Sequence, residues 1–346
     1  MGAVTKLYGG CCLKQRTVQL AARVDDTALA TDLSGKGVIA PALWANAVDE
    51  FEGGVTSVFS EGYGSEYYDT ATKLRANVAK FASFKAAHYT AILKKTKEDD
   101  RPQVMARYYR QTDTERNTTT RSSRSAKQWA QLQANKQEWP NAEYLASRSA
   151  DPRDEHEALY GIVRPLDDAF WKKNWPPKDY NCKCRVRASR AEVTPAAELP
   201  DISNAKGLSG NSGLTGEVFT PEHPFVSNAT KRGKKAIQTE FKQLFNARLS
   251  SWARENITGK LHQSKQGKVA VPEEAIEETL QAEHQHYYEK NLLIYDLPEA
   301  LSQAEYHSET KDHIFLSITV QGNPTYLKLQ KNDGNPVFVS VTEKPE

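Results

Sequence analysis

The chain has 346 residues, 46 Lys and Arg against 44 Asp and Glu for a net charge of +2, and 38% hydrophobic residues. That length allows two or three domains, the near-balanced charge gives no whole-chain argument for nucleic-acid binding, and no run of about 18 apolar residues offers a membrane span. Four cysteines are too few for a disulfide scaffold at this length, and the adjacent Cys11 and Cys12 read as free thiols. The N-terminus lacks the apolar core and small-residue cleavage site of a secretory signal, and Lys6 breaks a myristoylation pattern, so a reducing cytoplasm is the expected setting.

Residues 1–100 are expected to be helical. A short helix is placed within Lys14–Leu33 and ends at Ser34-Gly35-Lys36-Gly37, where a lone Gly-Lys-Gly lacks the spacing and the Ser/Thr of a phosphate loop. Pro41 opens a second helix with Leu43, Val48 and Phe51 near helical spacing, and Gly53-Gly54 is expected to stop it. The strongest helical pattern covers residues 65–98, where Leu74, Val78, Phe81, His88 or Tyr89, and Ile92 fall at helical spacing with no Gly or Pro. His88 falls on or near its apolar side and reads as a satisfied core histidine.

Residues 101–128 are rich in arginine (Arg101, Arg107, Arg110, Arg116, Arg121, Arg124), with Tyr108 and Tyr109 between them. A surface facing phosphate or an acidic partner is one reading; a solvated helix face and loop is the preferred one. A separate helix is expected over Ser125–Glu138 with Trp129 and Leu132 facing inward.

The most unusual composition lies between Tyr144 and Arg187. Asp167 and Asp168 precede the aromatic group Phe170, Trp171 and Trp175, and Pro176-Pro177 follow. Such rings each bury well over ~100 Å² when docked, and the prolines force Trp175 into extended backbone. The segment is too apolar for a loose loop and too proline-rich for a helix, so an ordered, packed loop is expected. In Tyr180–Val186, strand alternation would put Cys182, Cys184 and Val186 on one face. A Cys-x-Cys disulfide would close a strained ring. His156, Cys182 and Cys184 have zinc-ligand chemistry, but three ligands fall short of the usual four unless Asp154, Glu155 or His88 supplies one. A packed, reduced cluster is the preferred reading. No cofactor is expected, with zinc as the alternative.

These same residues carry a resemblance. Glu155-His156-Glu157-Ala158-Leu159-Tyr160-Gly161, then Arg164-Pro165-Leu166-Asp167-Asp168-Ala169-Phe170-Trp171, then Pro176-Pro177, then Asn181-Cys182-Lys183-Cys184 are similar to the signature of the phage Mu F-like minor head proteins, the phage head morphogenesis family. The chain departs at Ala169, where the family has Pro, and at Tyr180, where it has Trp. The resemblance covers roughly residues 100–190 and gives His156, Asp167, Asp168, Phe170, Trp171, Trp175, Pro176, Pro177, Asn181, Cys182 and Cys184 as a structural motif. It implies a minor head protein of a tailed phage or prophage, in the virion and in the host cytoplasm during assembly. Portal, capsid or scaffold proteins are its implied partners, phage DNA a further one, and a membrane is not.

Beyond Arg187, residues 191–235 collect Pro, Gly, Ser and Thr and read as a linker, extended and mobile in places, closed by the basic Lys231–Lys235. Residues 236–346 read as a separate small α+β domain. Lys235–Glu255 has helical spacing, and Ile314–Val320, Thr325–Leu329 and Val337–Val341 read as strands, the last two joined by Asn332-Asp333-Gly334-Asn335. The whole chain is therefore expected to be α+β, with helices first and an antiparallel sheet last. Leu297–Leu301 and Val320–Tyr326 are also similar to the barnase/EndoU/RelE-like small domains of phage head proteins. That resemblance implies a metal-independent ribonuclease acting on RNA. Such chemistry needs an acid, a base and a cation, and His307, His313 and Lys311 are the candidates, with Ser340 and Thr342 as neighbours and His284 and His286 set aside for lack of a shared helix face. A non-catalytic binding domain is the preferred reading.

Overall fold

The computed structural model describes residues 23–150 and 152–345. Cys11, Cys12 and the first part of the helix expected over Lys14–Leu33 lie outside them. Helix α1 (Asp26–Ser34) starts where Asp25 accepts the Ala28 N–H at 2.8 Å. Helix α2 (Pro41–Thr56) begins on its proline but runs through Gly53 and Gly54. The glycines do not stop it, because they make room for a neighbour. A Cβ on Gly54 would lie 3.0 Å from Thr120 Oγ1 and 3.3 Å from the Arg116 carbonyl of helix α4 (Arg101–Ala134). Helix α3 (Tyr68–Leu93) is central and buried on most of its surface. His88 is one of its exposed positions, resting on the Phe225 ring at 4.8 Å, and is not a core residue.

Helix α4 is one continuous element of 34 residues where a polar segment and a separate helix were expected. Its inward face is built of small polar side chains, Thr112, Thr118, Thr119, Ser122, Ser123 and Ser125. Thr112 and Thr118 donate back to the carbonyls of Tyr108 and Thr114 at 2.8 Å, which hides their polarity. Part of the arginine-rich face is committed, with Arg116 paired to Glu50 at 3.2 Å and Arg121 reaching a later loop, while Arg107, Arg110 and Arg124 are exposed. Glu115 is buried and paired with Lys85 at 2.5 Å, among the rings of Tyr89, Tyr108 and Phe225. Removing one partner would strand a buried charge, which costs about 3–5 kcal/mol.

A small module follows: β1 (Asn141–Leu145), α5 (Asp154–Glu157), β2 (Val163–Pro165), α6 (Phe170–Asn174) and β3 (Arg185–Ser189). Its antiparallel sheet has the order β2-β1-β3, with Tyr144 opposite Val186. Residues 191–235, expected to be a linker, lie against the core and carry α7 (Ser212–Thr215) and α8 (Pro224–Ser227). Leu208, Val218, Phe219 and His223 are buried, and Phe219 stacks on Phe81 at 3.8 Å. The Asn77 amide ties this stretch down, donating to the Phe219 carbonyl at 2.9 Å and accepting the Val218 and Phe219 N–H groups. A few well-placed apolar residues outweigh the polar composition.

Helix α9 (Lys231–Asn256), strands β4 (Leu261–Ser264) and β5 (Gly267–Ala270), and helices α10 (Glu273–Gln281), α11 (Tyr287–Asn291) and α12 (Leu297–Gln303) lead into β6 (Glu305–Glu309), β7 (His313–Val320), β8 (Asn323–Gln330) and β9 (Val337–Thr342). The six-stranded sheet has the order β4-β5-β9-β8-β7-β6, antiparallel apart from β5 beside β9. The fold is α+β, as expected, with helices first and the larger sheet last. The C-terminal part is not set apart from the helices. One apolar core runs from Leu29 to Val341, and Gln321 bonds to Asp69 and Thr72 of α3. A second apolar cluster sits inside the small module and contains Tyr144, Trp171, Trp175, Cys182 and Cys184. No helix among the described residues is long and apolar enough to cross a membrane.

Candidate metal centre

The small module forms an aromatic and cysteine knot on the C-terminal half of α4. Trp171 and Trp175 are fully buried, and their rings meet edge to face at 5.2 Å, with Trp129 of α4 against Trp175 at 4.8 Å. The Trp175 indole donates to the Ser125 carbonyl at 3.0 Å, and the Ser125 hydroxyl donates to the Pro176 carbonyl. Trp175 is extended, as Pro176 requires. The residues before it form the short helix α6 where an ordered, packed loop was expected. Asp168 explains this: its Oδ1 accepts the Phe170 N–H at 2.7 Å while Oδ2 holds Arg164. Asp167 beside it points outward to Lys136 at 3.0 Å.

Asn181 takes a positive φ of 58°, a conformation asparagine tolerates. The strand expected from Tyr180 therefore starts only at Arg185, so Cys182 and Cys184 precede it. They still face the same side, for a different reason from strand alternation: the Cys184 N–H turns in to the Cys182 sulfur at 3.4 Å. Arg121 donates to the carbonyls of Asn181 and Cys182 at 2.5 and 2.9 Å and pins this turn to α4.

His156, on α5, completes the group. Its Nδ1 lies 3.7 Å from each of the two sulfurs, and all three side chains are buried. Both cysteines are free thiols. Among the described residues, no carboxylate joins this group: Asp154 and Glu155 are exposed beside it, and His88 belongs to α3. The neighbouring Cys184 thiol, together with His156 and the Cys184 N–H, holds the Cys182 thiol below its ordinary range against the opposing effect of burial, while the Cys182 thiolate and burial push Cys184 up. The buried Tyr144 and Tyr160 hydroxyls face the Cys184 sulfur.

Two further residues escaped sequence reasoning. Lys178 is fully buried, its ammonium donating to Asn174 Oδ1 and the Ile202 carbonyl at 2.9 Å and to the Lys173 carbonyl at 3.2 Å. Burial pushes it down to about 8. Tyr144 is the other: it is fully buried on β1, facing inward with Ala142.

The C-terminal candidates do not converge. His307 is exposed on β6 at a register shift and lies 4.7 Å from the Tyr326 ring, whereas His313 is opposite Gln330, four residues further along β8 and so about 13 Å away along the strand. Lys311 is exposed in the intervening turn, Thr342 is paired with Tyr326, and Ser340 is buried opposite Lys328. His284 meets the Thr279 carbonyl at 3.2 Å, and His286 precedes α11 with a left-handed backbone.

Comparison with known proteins points to the same part of the chain. Residues 64–187 match the model of the Phage Mu protein F like protein family. The chain is 32% identical over 109 residues to the putative capsid assembly protein F of Escherichia phage Mu, which covers 30% of this chain and 25% of that protein. It is 38% identical over 63 residues to the Mu-like prophage FluMu F protein of Haemophilus influenzae, covering 18% and 15%. The chain thus spans a quarter or less of the length of these relatives, and no solved structure matches it significantly. The matched segment, residues 64–187, contains α3, α4 and nearly all of the knot, and it is this part of the chain that is similar to the Phage Mu protein F like family.

Proposed function

We propose that the chain is a minor head protein of a tailed phage or prophage that acts in capsid assembly, near the portal, with portal, capsid or scaffold proteins as partners. The observation that carries this reading is the match of residues 64–187 to the Mu F-like family, together with the similarity to the phage Mu protein F, which is named for capsid assembly. The knot suits a scaffolding role. Its aromatic rings and cysteines are buried and bonded within the chain, and its aspartates cap a helix or face solvent, so it serves as a rigid platform for protein contacts.

The test is genetic. The gene is interrupted in its parent phage or prophage and complemented with the wild-type chain or with Trp175→Ala. Interruption is expected to abolish DNA-filled heads in induced lysates, and only the wild-type chain is expected to restore them. Normal numbers of filled heads without the gene would defeat the proposal. Co-purification of the tagged chain with portal protein tests the finer placement, and its absence from portal-containing assemblies would remove that part.

A further inference from the structure

We infer that the knot holds one zinc ion through His156 Nδ1, Cys182 Sγ and Cys184 Sγ, with the Tyr144 hydroxyl beside the fourth position, where a water would complete the tetrahedron. A single ring nitrogen has one hydrogen-bonding function, either a lone pair or an N–H. Here it stands at equal distance, 3.7 Å, from two sulfurs. One hydrogen bond cannot serve both, whereas a shared ion does. Zinc–sulfur bonds of about 2.3 Å and zinc–nitrogen bonds of about 2.05 Å at tetrahedral angles set nitrogen and sulfur roughly 3.6 Å apart, close to the spacing found.

The surroundings agree. Two thiolates and an imidazole are soft and borderline donors that select zinc over magnesium or calcium. The Cys184 N–H already supports the Cys182 sulfur, as hydrogen-bond donors behind the ligands do in zinc sites. The Tyr144 hydroxyl, in a completely buried side chain, faces the Cys184 sulfur without a well-formed hydrogen bond, and a metal-bound water next to Cys184 would give it one. Binding releases the thiol protons of Cys182 and Cys184 to solvent and forms two zinc–sulfur bonds and one zinc–nitrogen bond.

The experiment uses the full chain carrying Cys11→Ser and Cys12→Ser, so that only the knot thiols remain. The protein is reduced, stripped with a chelator and titrated with cobalt(II), then with zinc. The expected result is one cobalt per chain with sulfur-to-cobalt charge-transfer absorption and the intense visible bands of a tetrahedral site, both erased by one equivalent of zinc. Zinc is expected to protect Cys182 and Cys184 from a thiol reagent, and chelator to restore their reactivity. Cys184→Ser should weaken zinc binding by more than about 100-fold, and Tyr144→Phe should keep one ion but bind it roughly 10-fold more weakly. Folded protein that shows no tetrahedral cobalt spectrum, or whose thiols react at the same rate with and without zinc, would overturn the inference. So would a metal content that disappears with Cys11→Ser and Cys12→Ser alone. The thiol comparison is made within the unmutated knot, so it decides the matter even if Cys184→Ser does not fold.

Discussion

The knot and the C-terminal sheet are both small β structures, yet they are held together by different means. In the sheet, β7 and β8 have eight residues each, and alternation turns Leu316, Ile318, Val320, Thr325, Leu327 and Leu329 into the shared core. Ladder hydrogen bonds and apolar area suffice there. In the knot, strands of three to five residues cannot supply enough of either. Side chains take over the bonding of the backbone: Trp175 holds Ser125, Arg121 holds Asn181 and Cys182, Lys178 holds Ile202, and Arg164 holds Thr194. A short-stranded unit thus needs particular residues at particular places, whereas a long-stranded one needs only a pattern.

That contrast can be tested by substitution. Trp171→Ala should have the largest effect, about 3–5 kcal/mol in denaturant unfolding, because a fully buried indole leaves a cavity among short elements. It should also expose Cys182 and Cys184 to thiol reagents. Leu327→Ala in the sheet should cost about 2–4 kcal/mol and leave the reactivity of those thiols unchanged. Equal thiol exposure in both variants would mean that the two regions unfold as one and would erase the distinction.

Lys178 gives a pH test of the knot. Its folded pKa, about 8, lies below the ordinary value of 10.5, so between these limits the unfolded chain holds the proton that the folded chain has lost. Its contribution to stability therefore rises with pH from about 8 towards 10.5 and is flat below that window. Unfolding free energies measured across this range should show the rise in wild type relative to Lys178→Met; parallel curves would show that the buried ammonium is not destabilised. Asp168→Ala should cost about 1–2 kcal/mol, since it removes a helix cap and the partner of Arg164. Asp167→Ala should stay within about 0.5 kcal/mol. Similar losses for both would place the Asp-Asp pair outside this account. The order of these effects follows burial rather than motif membership.

The contrast also explains what could be read in advance. The strands of the C-terminal sheet were legible because Ile314–Val320 and Thr325–Leu329 alternate, and a period of two has one geometric meaning. The short β4, β5 and β6 carry too few residues to show a period. In the knot the reverse holds. Trp171, Trp175, Cys182 and Cys184 announce themselves by type, and the family match falls on them. Their arrangement was not legible, because it depends on the Asn181 backbone, on the Asp168 cap and on Arg121 reaching across 60 positions of sequence. The continuity of α4 was hidden for a third reason: Thr118, Ser122 and Ser125 occupy inward positions at helical spacing, but a reading keyed to apolar residues passes over them. The buried Tyr144 hydroxyl has no sequence signal beyond the alternation of its strand.

Helix α4 has a mechanical consequence. Its 34 residues extend about 50 Å. Its first half is clamped by Tyr108, which bonds the Leu43 carbonyl, and by Glu115; its second half forms one wall of the knot through Ser125 and Trp129. The rod therefore works as a ruler: anything that grips the tryptophan end is kept at a set offset and rotation from the helical bundle, and a torque applied at one end reaches the other without a hinge to absorb it.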